Sequence, residues 1–313
     1  MLNERTRKKI AREHSRRLSE GDIDGLLDLY AKDVTFEAPV GAGGQAGHEA
    51  LRAHFESAVA GNVDETIVES VVGQDGEHVL SRITAVMDYR PRGPLYADRG
   101  WLPAPEGAEP TALRCHYALL LRVGESGLIE DMRAYWGKPD LETSVDGRSG
   151  PFVGPPAIDP DEAALRELPH NYLRLLQKGD VEGTVALFTD DIVFEDPVGG
   201  LLLRGKDALR EHAFRGSEGK VHEMLGRLVT SMDGRFVVVL GDARVYVPAR
   251  MRMRMITICE VNEDRLGAHI QGFWGLTDMT IGFPDDDTAP EPALDTARRP
   301  ERKDALKPFG TPS

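Results

Sequence analysis

The chain has 313 residues, 41% of them hydrophobic and 29% charged, and carries a net charge of −14. That length suits two ordinary domains, and the acidic balance argues against a nucleic-acid or anionic-membrane partner, because phosphate binding needs clustered positive charge. Two cysteines, Cys115 and Cys259, cannot build a disulfide framework and fit a reducing, cytoplasmic setting, while the polar opening segment and the lack of any run of ~18 apolar residues lead to the expectation of no leader and no membrane span.

From the N-terminus, RTRKK is the only basic block and reads as a solvated helix face. GDIDGLLDLYAKDVTFEAPVG (Gly21 to Gly41) follows, then a short helix with GHEALRAH, then extended segments. Residues 90–110 (RPRGPLYADRGWLPAPEGAEP) are rich in Pro and Gly and read as a long loop. The first unit closes on MRAYWG (Met132 to Gly137). Residues 141–160 read as a Gly/Pro-rich linker between a first domain over 1–140 and a second over 161–283.

The second domain repeats the first. GDVEGTVALFTDDIVFEDPVG (Gly179 to Gly199) returns 158 positions after its counterpart, and 15 of the 34 positions from Gly21 to His54 are identical in the ungapped match. Leu165, Leu168, Tyr172, Leu175 and Leu176 recur at helical spacing, so an amphipathic helix ends near Gly179. Short helices at Val181 to Phe188 and Lys206 to Phe214 flank a strand at Ile192 to Asp196. Extended runs at Val221–Thr230, Arg235–Val247, Met251–Val261 and Ala268–Thr277 complete the unit, the last containing IQGFWG. Helices first and an antiparallel sheet afterwards is an α+β layout, used twice. Residues 284–313 are charged, Pro-rich and poor in apolar side chains, and read as a disordered tail.

Several residue types attract chemistry. Reading every second residue puts Val221, Glu223, Leu225 and Val229 on one strand face, and Val63, Glu65, Ile67 and Val71 on its counterpart. A carboxylate among branched apolar residues, at the same register twice, is unusual. An edge strand facing solvent would be the bland alternative. Asp196 precedes Pro197 and follows Ile192 and Phe194 on one strand face, although Asp-Pro also starts turns. His54 and His212 recur at equivalent positions and read as surface or packing residues, and the nine histidines show no metal-ligand spacing. Met251, Met253 and Met255 alternate with arginines as in a half-buried strand, and both cysteines read as buried small hydrophobes.

The sequence GD-x-(D/E)-G, then VFEDPVG, a G-x-x-A-L-R helix and a late strand ending in FWG resemble the ketosteroid isomerase/SnoaL branch of the NTF2-like superfamily, in both halves. The resemblance implies two tandem NTF2-like cones, each with three N-terminal helices on a curved, mostly antiparallel sheet. It implies a general base at Asp196 and a phenol at Tyr172. The protonated Asp of the isomerases would fall near Thr257, so that partner is missing. The second acid, Glu223, makes the chain similar to the polyether epoxide hydrolase/cyclases of polyketide ionophore biosynthesis. From that likeness, Asp196, Glu223 and Tyr172 are the expected catalytic residues, and Trp274, Phe194 and Thr257 bind an apolar polyketide substrate. Asp196 would act as base, aided by a hydrogen bond from Tyr172, and Glu223 as acid. No metal or cofactor is expected. A ketosteroid-isomerase-like isomerase, a SnoaL-like polyketide cyclase and a non-catalytic binding or scaffold protein are the alternatives.

The first half differs at key positions. Ala38 stands where the base should be and His14 replaces the helix Tyr, while Glu65 and Trp136 are kept. The expectation is a second, degenerate pocket in which Ala38→Asp would restore ring-opening activity. The two copies are expected to pack sheet to sheet as an intramolecular pseudo-dimer.

Overall fold

The computed structural model describes residues 2–89, 111–154, 158–218 and 221–282. The expected loop over 90–110 and the expected tail over 284–313 lie outside the described residues.

In the first copy, α1 (Glu4–Glu20) begins where the Asn3 side chain accepts the Thr6 N–H at 2.9 Å, a cap that contributes about 1 kcal/mol. It ends at Gly21, whose φ of +72° closes the helix without the penalty a Cβ would bring. Then come α2 (Ile23–Leu27), β1 (Tyr30–Glu37), β2 (Gln45–Ala46), α3 (Gly47–Ala60), β3 (Asp64–Val72), β4 (His78–Asp88), β5 (Ala112–Val123), β6 (Ile129–Tyr135) and β7 (Leu141–Ser144). The second copy repeats the order as α4 (Pro160–Gln177), α5 (Val181–Ala186), β8 (Phe188–Glu195), β9 (Leu202–Arg204), α6 (Gly205–Glu218), β10 (His222–Thr230), β11 (Phe236–Val245), β12 (Met251–Val261), β13 (Gly267–Phe273) and β14 (Met279–Ile281). The α+β layout and the duplication expected from the sequence are both present.

The strand orders are β2-β1-β6-β5-β4-β3 and β10-β11-β12-β13-β8-β9, with β7 on β5 and β14 on β12. All pairs are antiparallel except β1 with β6 and β8 with β13. The segment Leu141–Ser144 therefore departs from the linker reading: its backbone pairs with Ala112–Cys115 and closes the sheet. Its short apolar content gives no period-2 signal, so only the pairing reveals it.

Each sheet buries one face against its own helices. Leu165, Phe188, Ile192 and Leu209 form part of that core in the second copy; each such side chain contributes roughly 1.5–3 kcal/mol by leaving water. The opposite faces share a third cluster, in which Val71, Leu80 and Tyr135 of the first copy meet Val229, Ile258 and Phe273 of the second.

Residues Val229 and Val71 correct the expected strand faces. The register of β10 against β11 slips between Leu225 and Leu228, and that of β3 against β4 between Ile67 and Glu69. One extra residue is inserted in each strand, and it reverses which side chains point inward. Glu223 and Leu225 consequently face the helices, whereas Val229 faces the other copy.

Candidate active site

A cavity opens between α4 and the concave face of the second sheet, with about 700 Å³ of space free of protein atoms, mouth included. Asp196, Glu223, Tyr172, Phe194 and Thr257 all line it. Leu168, Phe188, Leu225, Val239 and Ile270 make the rest of its wall largely apolar. The five expected residues that meet here come from α4, β8, β10 and β12, so closing the sheet under the helix is what assembles them.

The residue Asp196 sits just past the end of β8, where its backbone N–H donates to Leu201 O at 3.0 Å. Its side chain lies over Gly272 on β13, where an added Cβ would stand 2.6 Å from Asp196 Oδ1. Only a residue without a Cβ leaves room for the carboxylate there. Trp274 donates its indole N–H to Asp196 Oδ1 at 2.6 Å. The hydrogen bond expected from Tyr172 is not formed: the phenol lines the cavity and packs edge-on to Phe188 at 5.9 Å instead. The indole precedes the 3₁₀ turn at Leu276–Asp278 that follows β13, and it is the donor to Asp196 in place of the phenol.

Burial pushes the Asp196 carboxyl up to about 6, a rise that the Trp274 hydrogen bond partly offsets. Burial raises Glu223 further, to about 7, and the charge of Asp196 adds to the shift. The Tyr172 phenol is driven well above its usual value by burial and by both carboxylates. The cavity thus holds two coupled carboxyl groups and a neutral phenol, and no lysine, arginine or histidine is among its lining residues. Between about pH 6 and 7 the pair shares about one proton, with Glu223 the tighter holder.

The corresponding region of the first copy is filled. Gly241, Met255, Thr257 and Cys259 of the cavity are matched in register by Ile83, Tyr117, Leu119 and Leu121, all of them buried in the first core. Glu65 is kept, and burial pushes it up to about 7, but one oxygen is occupied by the Tyr117 hydroxyl, which donates to it. His14 joins Tyr30 at 2.7 Å, and burial drives the imidazole down to about 3, so it is neutral. Trp136 packs on Tyr117 with ring centroids 6.1 Å apart. Ala134 stands where Gly272 stands in the second copy, beside Ala38 in place of Asp196.

The bland readings hold for the other candidates. His212 packs on Phe194 at 5.0 Å and His54 on Phe36 at 5.6 Å, and burial lowers the pKa of both. Both cysteines are buried and free, with their thiols pushed up by burial, Cys259 to about 12. Among the described residues no group of three or more His, Cys, Asp and Glu side chains is placed to hold a metal, and no helix is long and apolar enough to cross a membrane. Sequence reasoning missed Gly272, Gly241 and Met255. The signal for Gly272 was present: IQGFWG and MRAYWG differ there in the same sense as EDPVG and EAPVG differ at the acid.

The SnoaL-like domain model matches residues 11–132 and again 170–269. Epoxide hydrolase LasB of Streptomyces lasalocidi is 45% identical over 141 residues, which are 44% of this chain and 50% of that protein. The chain therefore spans about half the length of that curated relative. Among solved structures, the epoxide hydrolase/cyclase-like enzyme SalBIII, with a role in pyran ring formation in the polyether salinomycin, is 28% identical over 39% of this chain and 98% of its own, with a TM-score of 0.37. RV0760c from Mycobacterium tuberculosis, solved with estradiol-17beta-hemisuccinate, is 21% identical over 44% of this chain and 97% of its own, with a TM-score of 0.35. Since the two matched segments together span well over half of the sequence, the chain belongs to the SnoaL-like family, as a tandem pair of its domains.

Proposed function

We propose that the second copy opens an epoxide with a hydroxyl of the same molecule and so forms a cyclic ether on an apolar polyketide. The observation that carries this reading is the pair of carboxyl groups, Asp196 and Glu223, in one largely apolar cavity and with unequal proton affinities. Ring formation needs a proton taken from the attacking hydroxyl and one given to the departing epoxide oxygen. Asp196, held as carboxylate by the Trp274 indole, takes the first as the new C–O bond forms. Glu223 gives the second as the epoxide C–O bond breaks. Asp196 is then protonated and Glu223 ionised, and the proton returns to Glu223 because that group binds it more tightly. The reaction is an isomerisation overall, so no external acid, base or cofactor is consumed. The apolar wall, with Phe194 and Leu225, suits an oily chain bearing few polar groups.

The test is incubation with a synthetic hydroxy-epoxide of polyketide type, followed by separation of cyclic ether, diol and starting material by mass-coupled chromatography. Cyclic ether should dominate, and Glu223→Gln should remove it. Because the base must be ionised and the acid protonated, kcat/KM should fall below about pH 6 and above about pH 7, the two limbs belonging to the coupled pair. A profile flat from pH 5 to 9 would refute the scheme.

A further inference from the structure

The first copy lacks a base and a cavity of matching shape, yet it reaches the second site at two places. The turn that carries Asp196 runs on through Pro197 and Val198 to Gly199. Val198 O accepts the Gln74 N–H of the first copy at 2.8 Å. Gly199, at a φ of +81°, lies so close to the first copy that an added Cβ would stand 2.2 Å from Asp75 N. The turn between β3 and β4 is therefore seated directly against the turn bearing the acid.

That seat is built by a buried charge. Arg7, on α1, is 2% exposed and is among the largest fully buried side chains of the molecule. Its guanidinium donates to Gly73 O at 2.9 Å and to His78 O at 2.6 Å, the two ends of the turn. Asp75, 3.7 Å from the guanidinium, closes the loop by accepting the Glu77 and His78 N–H groups at 2.9 and 3.0 Å. Burying an arginine costs stability unless its charge and hydrogen bonds are met. This one is spent on a turn whose outer surface is the support of Asp196.

The second contact holds the other end of the Asp196–Trp274 hydrogen bond. Directly after Trp274 and Gly275, the N–H groups of Leu276 and Thr277 donate to the two oxygens of Glu4 at 2.9 and 2.8 Å, and the Thr277 hydroxyl donates at 2.6 Å. Lys8, one turn further along α1, pairs with the fully buried Asp278, which in turn accepts the Gly275 N–H at 3.0 Å. Both partners of the hydrogen bond are thus anchored by one helix of the other copy.

The mirror-image contacts lack part of this. Met232 N–H donates to Val40 O at 3.0 Å, so the second copy seats the Ala38 turn in the same way. The position matching Arg7, however, is Leu165, a core residue with no polar atom in its side chain. Lys8 with Asp278 has its counterpart in Arg166, which donates to Asp140 at 2.6 Å, but Glu162, which matches Glu4, accepts the Thr230 hydroxyl of its own copy at 2.7 Å. The two braces without a counterpart, Arg7 on the β3–β4 turn and Glu4 on the 3₁₀ turn, both face the copy that retains the acid.

We infer that the first copy is a positioning device for the second, with Arg7 and Glu4 as positioning residues that fix the Asp196 turn and the Trp274 turn relative to each other. This rests on the assignment of Asp196 to the active site. It explains why a half without its own base is kept folded against the competent half: misplacement of a reacting group by about 1 Å is enough to cost roughly 10²-fold in rate.

The test compares Glu4→Gln and Arg7→Met with Glu162→Gln, the control at the matching seam position, in full-length protein. Trp101→Phe and Trp136→Phe leave Trp274 as the only indole, and its emission, followed against pH, reports ionisation of the carboxylate it touches. Glu4→Gln and Arg7→Met should raise that midpoint, because a loosened indole donor favours the carboxylate less, and should lower kcat about 10-fold or more with little change in KM. Glu162→Gln should change neither. If Arg7→Met does not fold, Glu4→Gln and Arg7→Lys carry the comparison, the lysine restoring part of the loss. Equal effects from Glu4→Gln and Glu162→Gln, or an unmoved midpoint in a folded Glu4→Gln protein, would overturn the inference. Should Asp196→Asn leave ring closure intact, the functional reading falls while the midpoint still decides on positioning.

Discussion

Two copies of one fold, with the same strand order and the same buried glutamate, have come to opposite interiors. In the second, glycine at 241 and 272 and threonine at 257 leave space between helix and sheet, and two carboxyls share it. In the first, Ile83, Ala134 and Leu119 occupy the matching positions and a tyrosine hydroxyl is spent on Glu65. The difference teaches that loss of the base is one of several changes made together. Ala38 and Ala134 are a matched pair, as Asp196 and Gly272 are, since the carboxylate and the Cβ cannot occupy the same place.

The comparison breaks most visibly at the base. Asp196→Asn should lower the rate of ring closure by roughly 10²–10⁴-fold, measured as initial rate of cyclic ether formation, while Ala38→Asn leaves the rate unchanged. Next in size is Gly272→Ala, whose new Cβ would displace the carboxylate and cost on the order of 10–100-fold in kcat; Ala134→Gly should have no effect on rate. A parental rate in Gly272→Ala would show that Asp196 does not need its observed place.

Stability separates the glutamates from their roles. Glu223 and Glu65 both have folded-state values near 7 against an ordinary 4.5. Below pH 4.5 folded and unfolded chains are both protonated there, so the buried carboxyl carries no penalty. As pH rises towards 7 the unfolded chain ionises first, and the folded state loses stability with each group. Glu223→Gln and Glu65→Gln should therefore each stabilise the protein by on the order of 1–3 kcal/mol at pH 8 and by almost nothing at pH 4, read from denaturant melts at the two pH values. Only Glu223→Gln should abolish ring closure. A stabilised, inactive Glu65→Gln protein would contradict the division between the copies.

The smallest effect is expected where the sequence alone leads one to look for a gain. Ala38→Asp by itself should add no second ring-closing activity, because Ala134, Tyr117 and Leu119 still fill the space. Adding Ala134→Gly, Tyr117→Met, Ile83→Gly and Leu119→Thr sharpens the point: a folded protein of that kind should then close a ring of a hydroxy-epoxide even in an Asp196→Asn background.

The legible part of the fold was its repeat and its helices, whose caps and apolar stripes are local: Asn3, Gly21 and the Leu165–Leu176 stripe act within a few residues. The acid pair was legible because a carboxylate at the same strand register in both halves is rare. What escaped was non-local. The bulges in β3 and β10 depend on pairing with β4 and β11, and a period-2 count run through them puts Val71 and Val229 on the wrong face. Trp274 as the donor to Asp196 depends on two segments 78 positions apart in sequence. Arg7, in a block that reads as solvated, is buried because the partner of its charge is a turn some seventy positions away. Periodicity cannot see a hydrogen bond that long.

The bulge in β10 carries a consequence for how this strand can change. Its nine residues serve two clients in succession, the cavity and core of its own copy through Glu223, Leu225 and Leu228 and the seam between the copies through Val229, and the inserted residue sets which is which. Replacement of Leu225 by another apolar side chain alters only the pocket. Regular pairing of Gly226 and Arg227 with β11, without the bulge, would bring Val229 into the core and turn Leu228 to the seam, disturbing both clients at once. Diversification of substrate choice in proteins built this way is therefore expected to proceed by substitution ahead of the bulge, with the facing of the residues after it held constant.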